Sequence, residues 1–324
     1  MGQTLQQLSP GAPLVPLASV EPPPPPPADD TQLLTLQVVA CAPGPWDRVE
    51  PTAWPRTPGN IVIGSDADGT LHLCGGFLPC GNCAACQTGA HLACSEPTRP
   101  GWNVGGGLAQ QALLPRRFLA PAPELAGEPQ RLAGVAALLA AGGTTYQAIA
   151  SAGMAPGDTV LVHGPAGPGA LPLRVMVACG LRPLWIAQDP ACLPADLRET
   201  VVTAPDCPPP DNRPSPRSHL LDLAPTRASV AAWRVEATSC LTLTLLGPGP
   251  LPDLDDPGAL LGGQAALRWI RDLHPHLVPE LAALAHSGRV TVQPWLEAHG
   301  LETFPASHAA FVEGSAPAWP VLTP

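Results

Sequence analysis

Apolar and polar positions divide the chain into two textures. LLTLQVVA is rich in Leu and Val and predicts a strand from Leu33 to Ala40, stopped by Pro43 and Pro45. The residues before it carry few charges and end in a proline run, Pro22 to Pro27. Six prolines make a stiff polyproline II segment, read here as a rigid connector. Turn-rich sequence runs from there to Gly69. GGGLAQQALLP (Gly105–Pro115) predicts a glycine turn and then a strand. From Leu132 the spacing changes. LAGVAALLAAGGTTYQAIASAG predicts two short Ala-rich helical pieces about a break at Gly142-Gly143. A Pro-Gly-Asp turn, a buried strand Thr159–His163, a glycine loop, a helix to about Cys179 and a second strand Leu184–Gln188, ending in Asp189, follow. That succession is a βαβ unit and implies a parallel sheet covered by helices. A Pro-rich loop (Pro205–Pro216), a strand in CLTLTLLGPG and helical pieces between Ala265 and Leu284, interrupted near Pro275, complete the outline. No internal repeat is visible.

Composition narrows the class. The chain has 324 residues, 45% of them hydrophobic, enough for a substantial core in one large or two ordinary domains. Net charge is −10, lysine is absent, and the arginines are scattered, which argues against nucleic acid and anionic membranes as partners. No apolar run reaches membrane length, since the Ala-rich stretch Leu132–Ala141 stops at the glycine pair. The opening MGQTLQQLSP has neither a basic nor an apolar signal region, so a cytoplasmic protein is expected. Ten cysteines in a reducing compartment read as metal ligands or buried thiols. Cys41, Cys179, Cys192, Cys207 and Cys240 read as small buried hydrophobes.

The other cysteines are concentrated. In PCGNCAACQTGAHLAC, Cys80, Cys83, Cys86 and Cys94 have spacings that let four thiolates turn toward one point, with Gly81 and Gly89 permitting the tight turns. Four protein ligands close a zinc tetrahedron and leave no position for water or substrate, so one structural zinc per chain is expected. An iron–sulfur cluster is the rival. The second motif is Gly164-Pro165-Ala166-Gly167-Pro168-Gly169. Gly164 and Gly169 fit the first and third glycines of a dinucleotide fingerprint, with Ala166 in place of the second. The strand before it, the helix after it and Asp189 at the end of the next strand support binding of NAD. An acid there holds ribose hydroxyls and repels a 2′-phosphate. Gly164, Ala166, Gly167, Gly169 and Asp189 are thus the candidate cofactor residues. The other reading is a tight turn without ligand, since Pro168 removes one N–H from the anion cradle.

Taken together, the cysteine loop, GGGLAQQALLP and GDTVLVHGPAGPG resemble the zinc-containing medium-chain alcohol dehydrogenases. TLQQLSPGAPLVPLASVEPPPP is similar to that family's opening hairpin, and LAALAHSGRVTVQP and FVEGSAPAWPVLTP to its closing segments. PGWNVGGGLAQ and GTTYQAIASAGMAPGD resemble the branch that oxidises cyclic hydroxyacyl-CoA thioesters. The resemblance implies an α/β fold: a GroES-like β-rich domain (1–130, with a zinc lobe at 79–95), a Rossmann doubly wound parallel sheet (131–272), and a tail (273–324) returning to the first domain. It also implies a homo-oligomer, a small-molecule substrate, and Thr144 placed against the nicotinamide.

The resemblance further implies a second, catalytic zinc, and here the residues depart from the family. Aligning the family's C-x-T-D on Asp47 puts Gly44 at the first ligand position. No Gly-His-Glu triplet occurs, and the stretch Trp46–Gly69 reads as shortened. Ala140 stands at the third position. No catalytic side chain is assigned. His72 and Cys74 alternate on a strand and, with Cys41, offer a substitute metal group. His163 reads as a strand-end residue near the cofactor, and His274 and His276 as surface residues. The expected function is an NAD-dependent oxidoreductase acting on an alcohol, a hydroxyacyl thioester or an activated double bond without the standard catalytic zinc. The alternative is a non-catalytic partner subunit that keeps the fold.

Overall fold

The computed structural model describes residues 3–9, 12–18, 33–49, 55–125, 129–186, 193–204, 218–226, 229, 240, 242–248, 266–293 and 295–324. The proline run, Cys192, Cys207, Gln188, Asp189 and the Pro-rich loop at 205–216 lie outside them. In chain order, β1 (Gln3–Gln7) and β2 (Leu14–Ala18) form an antiparallel hairpin. β3 (Leu33–Ala42), β4 (Ile61–Ser65) and β5 (Leu71–Cys74) follow, then the short α1 (Ala84–Gln87), β6 (Gln111–Pro115) and β7 (Ala120–Pro121). Helix α2 (Pro129–Ala152) leads to β8 (Thr159–His163), α3 (Leu171–Ala178), β9 (Arg182–Ile186), β10 (Val202–Ala204), β11 (Ser218–Asp222), β12 (Thr242–Leu246) and β13 (Ala266–Ile270). The tail holds α4 (Val278–His286), β14 (Leu296–His299), α5 (Phe304–Glu313) and β15 (Trp319–Leu322).

Two compact units result, Met1–Gly143 with Asp272–Pro324, and Thr144–Arg271. In the first, a seven-stranded sheet runs β14-β15-β3-β4-β5-β7, with β6 paired to the first half of β3. β3 serves both partners because it is ten residues long and its register shifts between Val38 and Ala40. Its core joins Leu36, Cys41, Val62, Cys74 and Leu108 to Phe304 and Leu322 of the tail. A buried ion pair also ties the tail in. Arg99 Nη2 donates to Asp272 Oδ2 at 2.7 Å and Arg99 Nε to Oδ1 at 3.1 Å, while Trp46 Nε1 donates to Oδ1 at 2.7 Å. The guanidinium lies 4.1 Å above the Trp46 ring.

The second unit is a six-stranded parallel sheet in the order β10-β9-β8-β11-β12-β13. Strands buried on both faces favour continuous apolar runs, and β8 has one in Val160-Leu161-Val162, whereas β12 is buried along its length although Thr242 and Thr244 alternate with leucines. The order reverses between β8 and β11. Brought together, these observations give an α/β protein made of a GroES-like β-rich unit and a Rossmann sheet.

Three expectations are corrected. Ala266–Ile270 is a strand, not a helical piece; β13 pairs with β12 along its length, so sheet edge pairing overrides the helical propensity of its Ala, Leu and Arg. Ile61–Ser65 is a strand inside the stretch read as turns. Gly142-Gly143 does not break the helix, and α2 runs unbroken for 24 residues. A Cβ on Gly143 would meet Leu273 Cβ at 3.4 Å, an ordinary contact, so the glycine lowers helix propensity by about 1 kcal/mol without ending the helix. With the break gone, Arg131–Ala152 is long and apolar enough to cross a membrane by length and composition, but 83% of its most apolar window is buried inside the protein.

Candidate functional site

The cysteine lobe gathers its four thiols as the spacing predicts. All four sulfurs lie within 4.8 Å of one another, with Cys80–Cys86 at 3.9 Å and Cys83–Cys94 at 4.0 Å. A zinc tetrahedron with Zn–S near 2.3 Å has an edge of about 3.8 Å, so the thiols fit zinc with small adjustments. Local backbone geometry brings this about. α1 starts at Cys83 and carries Cys86 one turn on, and Gly81 and Gly89 take φ of +79°. The N–H of Cys80 donates to Cys94 Sγ at 3.2 Å and that of Cys83 to Cys80 Sγ at 3.4 Å. A Cβ on Gly81 would lie 2.3 Å from Arg117 Nη1, so the guanidinium packs against the turn at Gly81. Backbone N–H groups of Ser95 and Cys86 lower the Cys83 pKa to about 6, whereas burial raises Cys86 to about 12. Among the described residues no other group of three or more His, Cys, Asp and Glu is arranged to hold a metal ion.

The glycine loop lies at the β8 end of the second unit, beside the strand where the sheet order reverses. Gly164, Gly167 and Gly169 have φ of +90°, +68° and +66°, and Ala170 is also left-handed at +51°. A Cβ on Gly164 would sit 3.2 Å from the Ala224 nitrogen and 3.4 Å from Asp222 Oδ1, so glycine is required there on two counts. Ala166 is buried, so its methyl is not presented to solvent. Trp185 Nε1 donates to Gly164 O at 3.0 Å. Arg174, missed at the sequence level, is buried; its Nε donates to Gly169 O at 2.7 Å and its two terminal nitrogens to Asp196 at 2.5 and 2.9 Å. Asp222 is also new. It is fully buried at the end of β11, where Oδ1 accepts the Ala224 N–H at 2.9 Å and Oδ2 has no partner among the described residues. Four backbone positions count against the cradle. Pro165, Pro168 and Pro172 lack an N–H, and the Ala170 N–H is spent on Gly167 O at 3.1 Å. Thr144 is half-buried on α2. Asp189 lies outside the described residues.

At the positions the resemblance gives to a catalytic zinc, the structure places a hydrogen-bonded plug. Asp47 is buried and accepts three backbone N–H groups: Gly44 at 2.8 Å, Gly59 at 2.8 Å and Asn60 at 3.1 Å. Gly59, with φ of +104°, turns the chain so that Asn60 falls against Gly44. A Cβ on Gly44 would meet Asn60 Oδ1 at 2.5 Å, and one on Gly76 would meet it at 2.3 Å. Asn60 Nδ2 donates to Gly76 O at 3.0 Å and to Pro100 O at 3.1 Å. The stretch read as shortened therefore carries Gly59-Asn60-Ile61 beside Gly44. Asn60 has no signal of its own in the sequence, because its partners Gly44, Gly76 and Pro100 are distant along the chain. Ala140 is buried on α2 and offers no ligand atom.

The substitute metal group does not form. Cys41 and Cys74 flank Val62 in neighbouring strands within the apolar core. Burial foremost raises the Cys74 pKa to about 12 and holds the Cys41 thiol well above its usual range, with the Asp47 charge adding to the latter. His72 turns instead to Asp66, with Nε2 and Oδ2 2.9 Å apart. His274 is half-buried rather than a plain surface residue, and its ring stacks on His91.

No protein-family model matches the chain. An alcohol dehydrogenase from Geobacillus stearothermophilus is 34% identical over 105 residues, which are 32% of this chain and 30% of that protein's own length. Solved structures match nearly end to end. The alcohol dehydrogenase of Aeropyrum pernix covers 99% of this chain and all of its own, with a TM-score of 0.75 at 19% identity. CAD from Helicobacter pylori, complexed with NADP(H), covers 99% of this chain and 97% of its own, with a TM-score of 0.76 at 15% identity. Acetophenone reductase from Geotrichum candidum, in complex with NAD, covers 100% and 97%, with a TM-score of 0.74 at 17% identity. The chain thus has the fold of the alcohol dehydrogenases to which it is similar.

Proposed function

We propose that the chain is an NAD-dependent oxidoreductase of the medium-chain alcohol dehydrogenase family, with one structural zinc held by Cys80, Cys83, Cys86 and Cys94. The observation that carries the oxidoreductase reading is the glycine loop. It stands at the point where a parallel sheet of this order reverses, the place where such sheets bind dinucleotides. Gly164, Ala166, Gly167 and Gly169 would take the pyrophosphate, Thr144 the nicotinamide side and Asp189 the ribose. When bound, the dinucleotide supplies a hydride acceptor or donor. The chain's own part is to hold the loop open: Gly164 admits close approach, and Arg174 fixes the carbonyl of Gly169. NAD is favoured over NADP by the charge of Asp189. Family resemblance further supports a homo-oligomer. Titrating the protein with NADH and NADPH by nicotinamide fluorescence tests this reading. Tighter binding of NADH, weakened in Asp189→Ala, is expected; no binding of either at millimolar concentration would sink it.

The residues do not fit a catalytic zinc. We read Asn60 as standing in the place of the histidine, with Gly44 and Ala140 at the other two positions. None of these supplies a thiolate, imidazole or carboxylate to a metal. The substrate is then an alcohol or hydroxyacyl thioester activated by other means, or an activated double bond that needs only hydride and a proton donor. The Asn60 plug also favours a second reading, a non-catalytic subunit that keeps the fold. Metal content separates the cases: two zinc ions per chain point to rebuilt ligands, and one leaves the metal-free reductase and the subunit, which a substrate screen then divides.

A further inference from the structure

One backbone position in the glycine loop is held against its preference. Ala170, with φ of +51° and ψ of +41°, is the one non-glycine residue in the left-handed region among the described residues. A Cβ disfavours that region, so an alanine stays there only where its surroundings hold it. The Gly169–Ala170 peptide is gripped at both ends. Its N–H donates to Gly167 O at 3.1 Å, and its carbonyl accepts Arg174 Nε at 2.7 Å. Turning that peptide over would return Ala170 to negative φ and break both bonds.

Arg174 is in turn held from outside the loop. Its side chain is 6% exposed, and its two terminal nitrogens reach the carboxylate of Asp196 at 2.5 and 2.9 Å. Asp196 stands in the helical turn Ala195–Leu197, in the segment between β9 and β10, and its own side chain is 58% exposed. A two-pronged pair fixes the plane of the guanidinium and so aims Nε at the loop, which a single hydrogen bond would not do. Hydrogen bonds from Arg174 hold the Asp196 carboxyl below the usual carboxylate range, so the pair stays charged at physiological pH.

We propose that Asp196 is a positioning residue for dinucleotide binding, acting through Arg174 to keep the Gly169–Ala170 peptide in its left-handed turn. The inference rests on the reading of the loop as a dinucleotide site and adds to it a determinant that lies outside the glycine motif. Without Asp196 the guanidinium is free to turn, the peptide relaxes, and a ligand must order the loop again as it binds. The loss should be about tenfold in affinity, the worth of one well-made hydrogen bond. Glycine at position 170 takes the left-handed conformation without help, so it should make the loop indifferent to Asp196.

The test titrates the full chain with NADH by nicotinamide fluorescence in four forms: wild type, Asp196→Ala, Ala170→Gly and the double variant. Asp196→Ala should raise Kd about tenfold in the wild-type background and about twofold or less in the Ala170→Gly background. Asp196→Asn, which keeps an acceptor for one guanidinium nitrogen and so protects the fold, should show the same dependence on background with a smaller loss. A merely structural role would weaken binding by one factor in both backgrounds. Equal NADH affinity of wild type and the Asp196 variants, or the same loss in both backgrounds, would overturn the role of Asp196 and leave the dinucleotide reading standing. Binding of NADH to none of the four forms would overturn both.

Discussion

Removing the Asn60 plug gives the sharpest test of how the first unit is built. Asn60→Ala removes two buried hydrogen bonds, to Gly76 O and Pro100 O, and leaves both carbonyls short of a donor. At about 1 kcal/mol net per bond and more for each stranded group, the loss should be about 2–4 kcal/mol. Gly44→Cys fails for another reason. The Gly44 backbone, with φ of −106°, accepts any residue, but a Cβ there would lie 2.5 Å from Asn60 Oδ1. Overpacking of that kind costs about 1–3 kcal/mol. Asn60→Ala removes the Oδ1 and Cγ atoms and so the worst of the clash at position 44, leaving only the Cβ of position 60, 3.0 Å away. The double variant should therefore lose less than the sum of the two, by about 1–2 kcal/mol, a coupling in the range expected of touching residues. Urea unfolding followed by tryptophan fluorescence measures all four corners of the cycle. Strict additivity, or a neutral Gly44→Cys, would mean that Asn60 does not fill that space, and the assignment of the plug would be wrong.

Other expectations follow from neighbouring parts of the molecule. Cys83→Ser should release zinc and destabilise the lobe, since a closed four-thiolate site supplies folding energy directly; full zinc occupancy in the variant, or iron in the wild type, would refute the assignment. Asp272→Ala should cost about 3–5 kcal/mol, because it leaves the Arg99 guanidinium buried without its partner, and a loss under 1 kcal/mol in denaturant titration would contradict that. A panel of primary, secondary and cyclic alcohols should not turn over at ~1 per second or faster even with NAD present. Restoring Cys at 44 and 140 together should not change this, whereas chelator-sensitive turnover in the wild type would show that the ligands lie elsewhere. The folded His274 pKa of about 4 lies below the usual value near 6.5, so the unfolded chain binds more protons in that interval. Stability should fall as pH drops from about 6.5 toward 4, and His274→Gln should flatten that slope relative to wild type.

What was legible in the sequence was local. The four cysteines fall within fifteen residues, and the turns between them are set by Gly81 and Gly89, so spacing alone described the cluster. β8, the loop and α3 are likewise contiguous, and each has a strong signal of its own. The errors have a different origin. Gly142-Gly143 looks like a break on propensity alone, yet the helix runs through it and Gly143 sits beside Leu273, far along the chain. Ala266–Ile270 has helix-forming residues, and only the edge of β12 makes it a strand. Asn60 was unreadable for the same reason, because its neighbours Gly44, Gly76 and Pro100 come from three separate segments. The pairing of Cys41 with His72 and Cys74 failed through its surroundings. Strand alternation put the residues on one side, but Asp66 offered His72 a better partner than two buried thiols could.

The two expected metals thus part company on a physical difference between their sites. A zinc in the cysteine lobe would join residues of one loop, where otherwise two N–H···S hydrogen bonds and the turns at Gly81 and Gly89 hold the thiols together, so the lobe has most to gain from it. On the alignment proposed above, a catalytic zinc would join residues near positions 44, 60 and 140, and part of the tie between 44 and 60 is made by hydrogen bonds. Asp47 fastens the turn at Gly44 to Gly59 and Asn60 through three N–H groups, and Asn60 carries the connection on to Gly76 and Pro100. Hydrogen bonds to backbone groups do not depend on a bound ion or on the chemistry of any ligand. The first unit can therefore keep its shape whether or not the chain turns over a substrate. Likeness of fold over 99% of the chain carries no weight for alcohol oxidation in itself. That question rests on the dinucleotide loop and on whatever proton donor the substrate meets.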